Sequence, residues 1–330
     1  MSKALVLISG GLDSLLAAKV IMEQGIEVQG VCFVMSFASR NIEGFEKNVR
    51  ESASSANIPV KMVDISDEFL RILKKPEHGY GANLNPCIDC KILMLKHAKA
   101  MMADEKADFV ATGEVLGERP MSQRRDALDI IRRDAGLDGY LLRPLSAKVL
   151  DPTIPETDGM VDRSRLHSIT GRGRYRQFEL AEKYGITKYF TPAGGCLLTD
   201  PGFTRRMKDL IQHGGLEPDA IKLIKHGRHF RIDANTKAVV GRDEADNEDI
   251  FSEKKKDDVI VWPKEIAGPN VLLRGDTSIS NIKKAAALCI GHSKSKNRAS
   301  EQCEYWTVEG KEQDLEAAPM TRQEIEKDRI

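Results

Sequence analysis

The chain has no net charge: 50 Lys and Arg balance 50 Asp and Glu over 330 residues. Without an overall field to draw it onto nucleic acid, any RNA surface must be a local patch. It also lacks an apolar run of membrane-spanning length, and no cleavage site follows the short stretch in MSKALVLISGG. Neither a membrane span nor a secretory leader is expected, and the expected compartment is the cytoplasm. Repeats and low-complexity tracts are missing too. With 41% hydrophobic and 30% charged residues, this is the composition of a folded globular chain, long enough for two domains.

Cysteine is sparse, with six residues at 32, 87, 90, 196, 289 and 303. Only Cys87 and Cys90 have C-x-x-C spacing, so a four-thiolate zinc site is not expected. In a reducing compartment that pair points to metal or redox chemistry rather than to structural disulfides. Cys32, inside VQGVCFVM, reads as a buried small hydrophobe.

What is present begins with alternation. ALVLIS, VQGVCFVM, VKMVDIS and ADFVATGE read as apolar strands, separated by helical patterns such as GLDSLLAAKVIMEQG, FEKNVRESASSAN and CKILMLKHAKAMMADEK. Such a series predicts an α/β fold, a doubly wound, mostly parallel sheet with helices on both faces. Ligands on such a sheet bind beyond the carboxyl ends of the strands, and residues 9–14, 85–90 and 112–123 follow or flank those ends. From 120 to about 200 the pattern is helical and loop-like. Beyond DPGFTRRMKDLIQHGG the character shifts to short strands, RHFRI, KAVVGR, DVIVWP and NVLLRG, then a helix, SNIKKAAALCIG, and a final strand, CEYWTVEG. This predicts a smaller α+β domain over 215–320 and a boundary near 215, with a charged, frayed tail, EAAPMTRQEIEKDRI.

ISGGLDS, residues 8–14, carries the first chemistry. A strand runs into Ser9-Gly10-Gly11 and then into a helix beginning near Asp13. The glycines let the backbone approach a ligand, and the free N–H groups and helix dipole favour an anion. The hydroxyls of Ser9 and Ser14 add donors. The pattern has neither the lysine of a P-loop nor the spaced glycines of a dinucleotide fingerprint. An aspartate in such a cradle repels the ligand unless a cation intervenes, so Asp13 is a candidate Mg²⁺ partner. The plainer reading is a tight strand-to-helix turn.

NPCIDCK sets Cys87 and Cys90 ahead of a helix whose N-terminus would lower their pKa, and TPAGGCLLTDP presents Cys196 alone after a tight turn that exposes it. Three thiolates leave one iron of a [4Fe–4S] cluster open to an exogenous ligand such as sulfide. A dithiol relay using two of them and a set of unrelated reduced thiols are the alternatives.

ISGGLDS resembles the SGGxDS signature of the PP-loop ATP pyrophosphatases, which cleave ATP to AMP and pyrophosphate while adenylating a substrate carbonyl oxygen. The resemblance implies an adenine nucleotide alpha-hydrolase-like domain in which Ser9, Gly10, Gly11, Asp13 and Ser14 hold the pyrophosphate end of ATP with Mg²⁺. Joined to the PCxxC and a lone downstream cysteine, it is similar to the tRNA thiolation branch of that superfamily. Cys87, Cys90 and Cys196 match the three cysteines that hold a [4Fe–4S] cluster in its cluster-dependent members; its persulfide-dependent members use two. VATGEVLGERPMSQ resembles the TGExLGxxxSQ segment of the 4-thiouridine synthases rather than the TGHYA segment of the 2-thiouridylases. That implies Gly113, Glu114, Ser122 and Gln123 line the nucleotide and target-uridine pocket. By its own chemistry, Glu114 at a strand end would bind Mg²⁺ or a ribose, or be an ordinary surface carboxylate. RPLSAK (143–148) and GRGRYRQ (171–177) are also similar to segments of these enzymes, and the similarity covers about residues 1–205, with 170–205 as a helical extension carrying the third cysteine.

The 4-thiouridine synthases carry an RNA-binding region ahead of the loop, whereas here the loop opens the chain; with no rhodanese-like tail, a cluster or free sulfide is favoured as the sulfur source. RNA would be gripped elsewhere. GRGRYRQ with Arg163 and Arg165 is one basic candidate, against the plain reading of a solvated face. The other is the C-terminal module, where KHGRHFRI and KAVVGRDEADNEDI resemble the RNA-binding domain of NFACT-type proteins, with Lys283, Lys284, Lys294, Lys296 and Arg298 following. His226, His229 and His292 have no second ligand pair and are expected to face RNA or to be structural. The expectation is an ATP-dependent tRNA sulfurtransferase forming 4-thiouridine with ATP, Mg²⁺ and a [4Fe–4S] cluster. Its expected partners are tRNA, a sulfur donor (free sulfide or a cysteine desulfurase) and a second copy in a homodimer, with no membrane. The competing readings are a 2-thiouridine-forming or persulfide-relay thiolase, a PP-loop synthetase for a small molecule, and an RNA-binding or nucleotide-sensing protein with a degenerate loop.

Overall fold

The computed structural model describes residues 2–35, 41–189, 196–213, 215–294, 297, 299–306 and 310–330. The chain packs as two units, Met1–Asp200 and Pro201–Ile330.

The first unit runs β1 (Lys3–Leu7), α1 (Leu12–Met22), β2 (Glu27–Val34), α2 (Ile42–Ser55), β3 (Val60–Asp64), α3 (Ser66–Lys74), α4 (Cys87–Glu105), β4 (Phe109–Ala111), α5 (Arg125–Asp134), β5 (Leu141–Leu142), α6 (Ile154–Thr157) and α7 (Tyr175–Lys183). Its five strands are parallel in the order β3-β2-β1-β4-β5. β1 is apolar at every position after Lys3, as a strand covered on both faces requires. Ala4 and Val6 pack with Leu12, Leu15 and Leu16 of α1 and Val49 of α2, while Leu5 and Leu7 pack with Ile88, Ile92 and Leu95 of α4 and Ile131 of α5. The sheet is therefore doubly wound, as the alternating pattern predicts. Strand order reverses between β1 and β4, and the crevice beyond their carboxyl ends is where such a sheet takes a ligand. Residues 8–14 leave β1 there and residues 112–123 leave β4. In the stretch read as helices and loops, Leu141 and Leu142 add the short edge strand β5 beside β4.

The second unit contains α8 (Pro201–Gln212), α9 (Pro218–Leu223), β6 (Arg228–Asp233), β7 (Thr236–Val240), α10 (Glu244–Ser252), β8 (Val259–Pro263), β9 (Val271–Arg274), α11 (Ile279–Gly291), β10 (Glu301–Trp306), β11 (Glu312–Ala317) and α12 (Arg322–Asp328). Its antiparallel sheet has the order β11-β10-β8-β9-β7-β6. α11 buries Ile282, Ala285, Ala286 and Cys289 against Val261, Val271 and Cys303 on one face, and Leu223 and Ile250 meet Val239, Ile260 and Leu272 on the other.

Two expectations need correction. The tail is not frayed: Glu312–Ala317 pairs with β10, and a capping box from Thr321 to Glu324 opens α12, whose Ile325 joins the core. The strand was hidden because it lies at the sheet edge and alternates Glu312, Asp314 and Glu316 outward. The second is the division of the chain, read near 215 from composition, whereas α8 packs with the second unit. Its Asp209 accepts from Arg231 Nε at 3.0 Å and from Lys237 Nζ at 3.2 Å, and burial pushes the Lys237 ammonium down to about 8. Residues 307–309 of the expected strand CEYWTVEG lie outside the described residues.

Both tryptophans, Trp262 and Trp306, lie in this unit, so intrinsic fluorescence follows it alone. Asp209→Ala leaves Lys237 and Arg231 without their shared carboxylate and is expected to cost about 3 kcal/mol, read as a lowered midpoint of tryptophan fluorescence in urea.

Candidate active site

The turn after β1 is held in one shape by its own side chains. Gly10 sits at φ +74°, a left-handed conformation that costs glycine nothing. Ser14 Oγ donates to Gly11 O at 2.8 Å and accepts from Ser9 N at 3.2 Å, while Ser9 Oγ accepts from Gly11 N at 3.4 Å. Gly11 caps α1 without any side-chain hydrogen bond to the first-turn amides. Those amides meet the description of an anion site.

Gly113 explains how the second segment reaches this turn. A Cβ there would lie 2.4 Å from the carbonyl carbon and oxygen of Asp13 and 2.5 Å from Ser14 N, so only glycine lets the end of β4 touch the first turn of α1. Glu114 follows, 2% exposed, with Oε2 accepting from Thr112 Oγ1 and Arg143 Nε, both at 3.0 Å. Burial pushes its carboxyl up, but the Arg143 and Lys91 charges and these hydrogen bonds outweigh that and leave it below its usual value. Glu114 is thus no surface carboxylate, and its Oε1 is buried with no hydrogen-bond partner. Ser122 and Gln123 are buried as well. Gln123 Oε1 accepts from Arg119 N at 3.0 Å and its carbonyl accepts from Gly117 N at 2.7 Å, closing the loop on itself. RPLSAK and GRGRYRQ brace the same loop: Ser146 Oγ accepts from Leu116 N and donates to Ile169 O, and Gly171 N donates to Leu116 O.

Asp13 does not stand alone. Arg174 Nη2 donates to its two oxygens at 3.2 and 3.3 Å, an ion pair between residues 161 apart in sequence. Burial raises the Asp13 carboxyl even against Arg174 and Arg119. Glu118 faces the same place: burial and the Asp13 charge raise it. Sequence reasoning missed this pair. The only signal was that a buried aspartate needs a cation, and Mg²⁺ answered that need without a distant arginine. The expected basic RNA face loses members accordingly. Arg174 turns inward, Arg163 pairs with Glu156 and donates to Ala147 O and Leu150 O at 2.9 Å, and Arg165 donates to Glu23 O at 2.7 Å.

The three cysteines come from two places. Cys87 and Cys90 lie in the first turn of α4. Cys196 is tied beside them because Asn83 Nδ2 donates to Thr199 O at 2.8 Å and Leu84 N donates to Leu198 O. The Pro-Ala-Gly-Gly turn before Cys196, expected to expose it, lies outside the described residues. All three thiols are free, and Cys90 feels the charge of both others. Here the expected effect of the helix end is overturned: burial pushes Cys87 up, Cys90 to about 12 and Cys196 to about 11, with Lys91 offsetting only part for the first two. Among the described residues the three do not form a group whose ligand atoms all lie within 4.8 Å of one another, as a single-ion chelate would.

In the second unit, His229 is 1% exposed and its Nε2 meets His226 O at 2.7 Å, which makes it structural. His226 does have acidic neighbours, Asp246 and Asp249, but Asp246 is taken up by Arg242. Lys283, Lys284 and Lys294 are exposed; Lys296 and Arg298 lie outside the described residues.

Comparison with known proteins agrees with this layout. Residues 1–149 match the family model for the thiamine biosynthesis protein ThiI, and residues 227–328 match the NFACT protein RNA binding domain. Over residues 1–149, under half of the chain, the first unit is similar to the ThiI family. Curated relatives of the PP-loop part include the tRNA-specific 2-thiouridylases MnmA of Caldicellulosiruptor saccharolyticus, 31% identical over 46% of this chain and 42% of the relative, and of Syntrophotalea carbinolica, 32% identical over 33% of each. The chain thus spans under half the length of these relatives. Solved structures that align with it include a 4-thiouridine synthetase–RNA complex with bound ATP, at 16% identity, TM-score 0.35, over 56% of this chain and 52% of that one. Another is a predicted subunit of tRNA methyltransferase from Methanocaldococcus jannaschii, at 15% identity, TM-score 0.36, over 56% and 76%. No helix among the described residues is long and apolar enough to cross a membrane.

Because the thiolate is the reactive form, alkylation of Cys90 and Cys196 in the metal-free chain is expected to be slow at pH 7 and to rise about tenfold per pH unit up to pH 9.5, followed by peptide mass spectrometry. A plateau near pH 7 would show thiolates stabilised by the helix end.

Proposed function

We propose that the chain is an ATP-dependent tRNA sulfurtransferase, cytoplasmic in location, that adenylates a uridine carbonyl oxygen and exchanges it for sulfur, giving 4-thiouridine. The observation that carries this is the backbone contact of Gly113 with Asp13 and Ser14, which sets the segment after β4 against the turn after β1, while Asn83 and Leu84 tie the Cys196 segment beside the Cys87–Cys90 turn. The turn after β1 and the three cysteines would then serve nucleotide and sulfur respectively.

In this reading the amides of Gly10 and Gly11 and the hydroxyls of Ser9 and Ser14 take the pyrophosphate portion of ATP. Asp13 orients the Mg²⁺ that offsets charge building on the departing pyrophosphate. Gly113, Glu114, Ser122 and Gln123 shape the pocket that presents the uridine, whose carbonyl oxygen attacks the α-phosphate. Cys87, Cys90 and Cys196 would hold a [4Fe–4S] centre, which when bound offers a position for sulfide. Sulfur then joins the carbon as AMP leaves with the former carbonyl oxygen, and sulfide as donor keeps this exchange redox-neutral. The donor is free sulfide, or persulfide sulfur from a cysteine desulfurase after two thiols have reduced it to sulfide, themselves becoming a disulfide. The RNA is gripped by the NFACT-type domain, and the assembly is a homodimer.

A 2-thiouridine product is the second reading, favoured by the 2-thiouridylase relatives. The TGEVLGERPMSQ segment favours the 4-position. Cys196→Ala is expected to abolish transfer of ³⁵S from sulfide to tRNA while leaving the dissociation constant for Mg·ATP within about twofold. Equal loss of ATP binding would make Cys196 a structural residue and sink the proposed role.

A further inference from the structure

Arg174 holds Asp13 loosely. Both carboxylate oxygens share one nitrogen, at 3.2 and 3.3 Å, where a well-formed bond between charged groups measures about 2.8 Å. Each side of the pair is also left short of partners. Arg174 Nε is buried with no acceptor, and Glu118 Oε2, on the loop beside Asp13, is buried with no donor. The guanidinium rests near the half-exposed ring of Phe178, with Cζ 5.8 Å from its centre, a surface over which it can slide without losing cation–π contact. The segment that carries it is fixed. Thr170 bridges Leu116, and Gly171 N donates to Leu116 O at 2.7 Å, so the side chain and not the backbone is free to move.

A carboxylate oxygen of Glu118 without a donor and an Arg174 nitrogen without an acceptor flank the loosely held Asp13 at the turn after β1. Magnesium–triphosphate supplies both missing partners at once. We propose that Arg174 is an exchangeable counter-ion of the PP-loop. In the pair seen here it neutralises Asp13; on binding of Mg·ATP it yields Asp13 and Glu118 to the divalent cation and moves onto the phosphate oxygens. It then contributes to holding the pyrophosphate as the bond to the α-phosphorus breaks. This assigns Glu118, which nothing in the loop signature marks, as the second carboxylate toward the metal. The inference rests on the PP-loop reading of ISGGLDS.

The exchange predicts effects of opposite sign. With Mn²⁺ as the probe in the full-length chain without nucleotide, followed by the electron paramagnetic resonance of free Mn²⁺, Arg174→Gln removes the competitor and should tighten binding about tenfold. In the same variant the dissociation constant of Mg·ATP, by calorimetry, should rise about tenfold, because a charge-assisted phosphate contact is lost. Glu118→Gln should weaken Mn²⁺ binding. Arg174→Lys, which keeps the charge, should hold Mn²⁺ affinity near that of the unaltered chain and recover part of the Mg·ATP affinity. If Arg174→Gln weakens both ligands together, or changes neither, Arg174 is a structural brace and the exchange is refuted. If the unaltered chain binds no Mg·ATP, the PP-loop reading itself fails, before any variant is compared.

Discussion

The candidate site depends on one backbone contact, Gly113 against the first turn of α1. At 2.4 Å from the Asp13 carbonyl, a β-carbon at 113 cannot be accommodated without moving main chain, so the ends of β1 and β4 meet at their closest only because this residue has none. That contact brings the turn after β1 and the segment after β4 together at the switch point of the sheet. It fixes Asp13 and Ser14 relative to Glu114, and through the loop it fixes Glu118 and Arg119.

Around that contact the protein handles charge by pairing rather than by exposure. Glu114 is sealed with Arg143, and Asp13 is covered by Arg174. A buried carboxylate without such a partner would protonate or open the fold. The cysteines are treated in the opposite way: they are partly buried, and desolvation raises their thiol pKa values against little positive charge. Metal or cluster binding would therefore have to displace protons, so loading of the site is linked to pH.

Much of this was legible in the residues. ISGGLDS named the strand-to-helix turn between β1 and α1, and the apolar strands named a parallel sheet covered on both faces. The C-x-x-C spacing marked Cys87 and Cys90 as a pair ahead of a helix, whereas the helix begins at Cys87 and holds both in its first turn. Cys196 joined them only by resemblance, since nothing in 105 intervening residues tells where a lone cysteine returns. Other features were not legible for physical reasons. Arg174 reads as one more surface arginine because charge pairing across 161 residues leaves no local pattern. β11 does not read as a strand, and its last residues, Glu316 and Ala317, read as tail, because an edge strand shows its acidic side chains to water. The raised thiol pKa values were missed because burial is a property of the fold, while helix position can be counted along the chain.

The central claim is that the nucleotide loop and the three thiols serve one substrate. The most direct measurement is mass spectrometry of nucleosides from unmodified tRNA after anaerobic incubation with the iron- and sulfide-reconstituted chain, Mg·ATP and sulfide. A 4-thiouridine peak that requires ATP, with one AMP released per sulfur inserted, is the result expected. ATP cleaved to AMP with no thionucleoside of any kind would contradict the claim and direct the PP-loop to a small molecule.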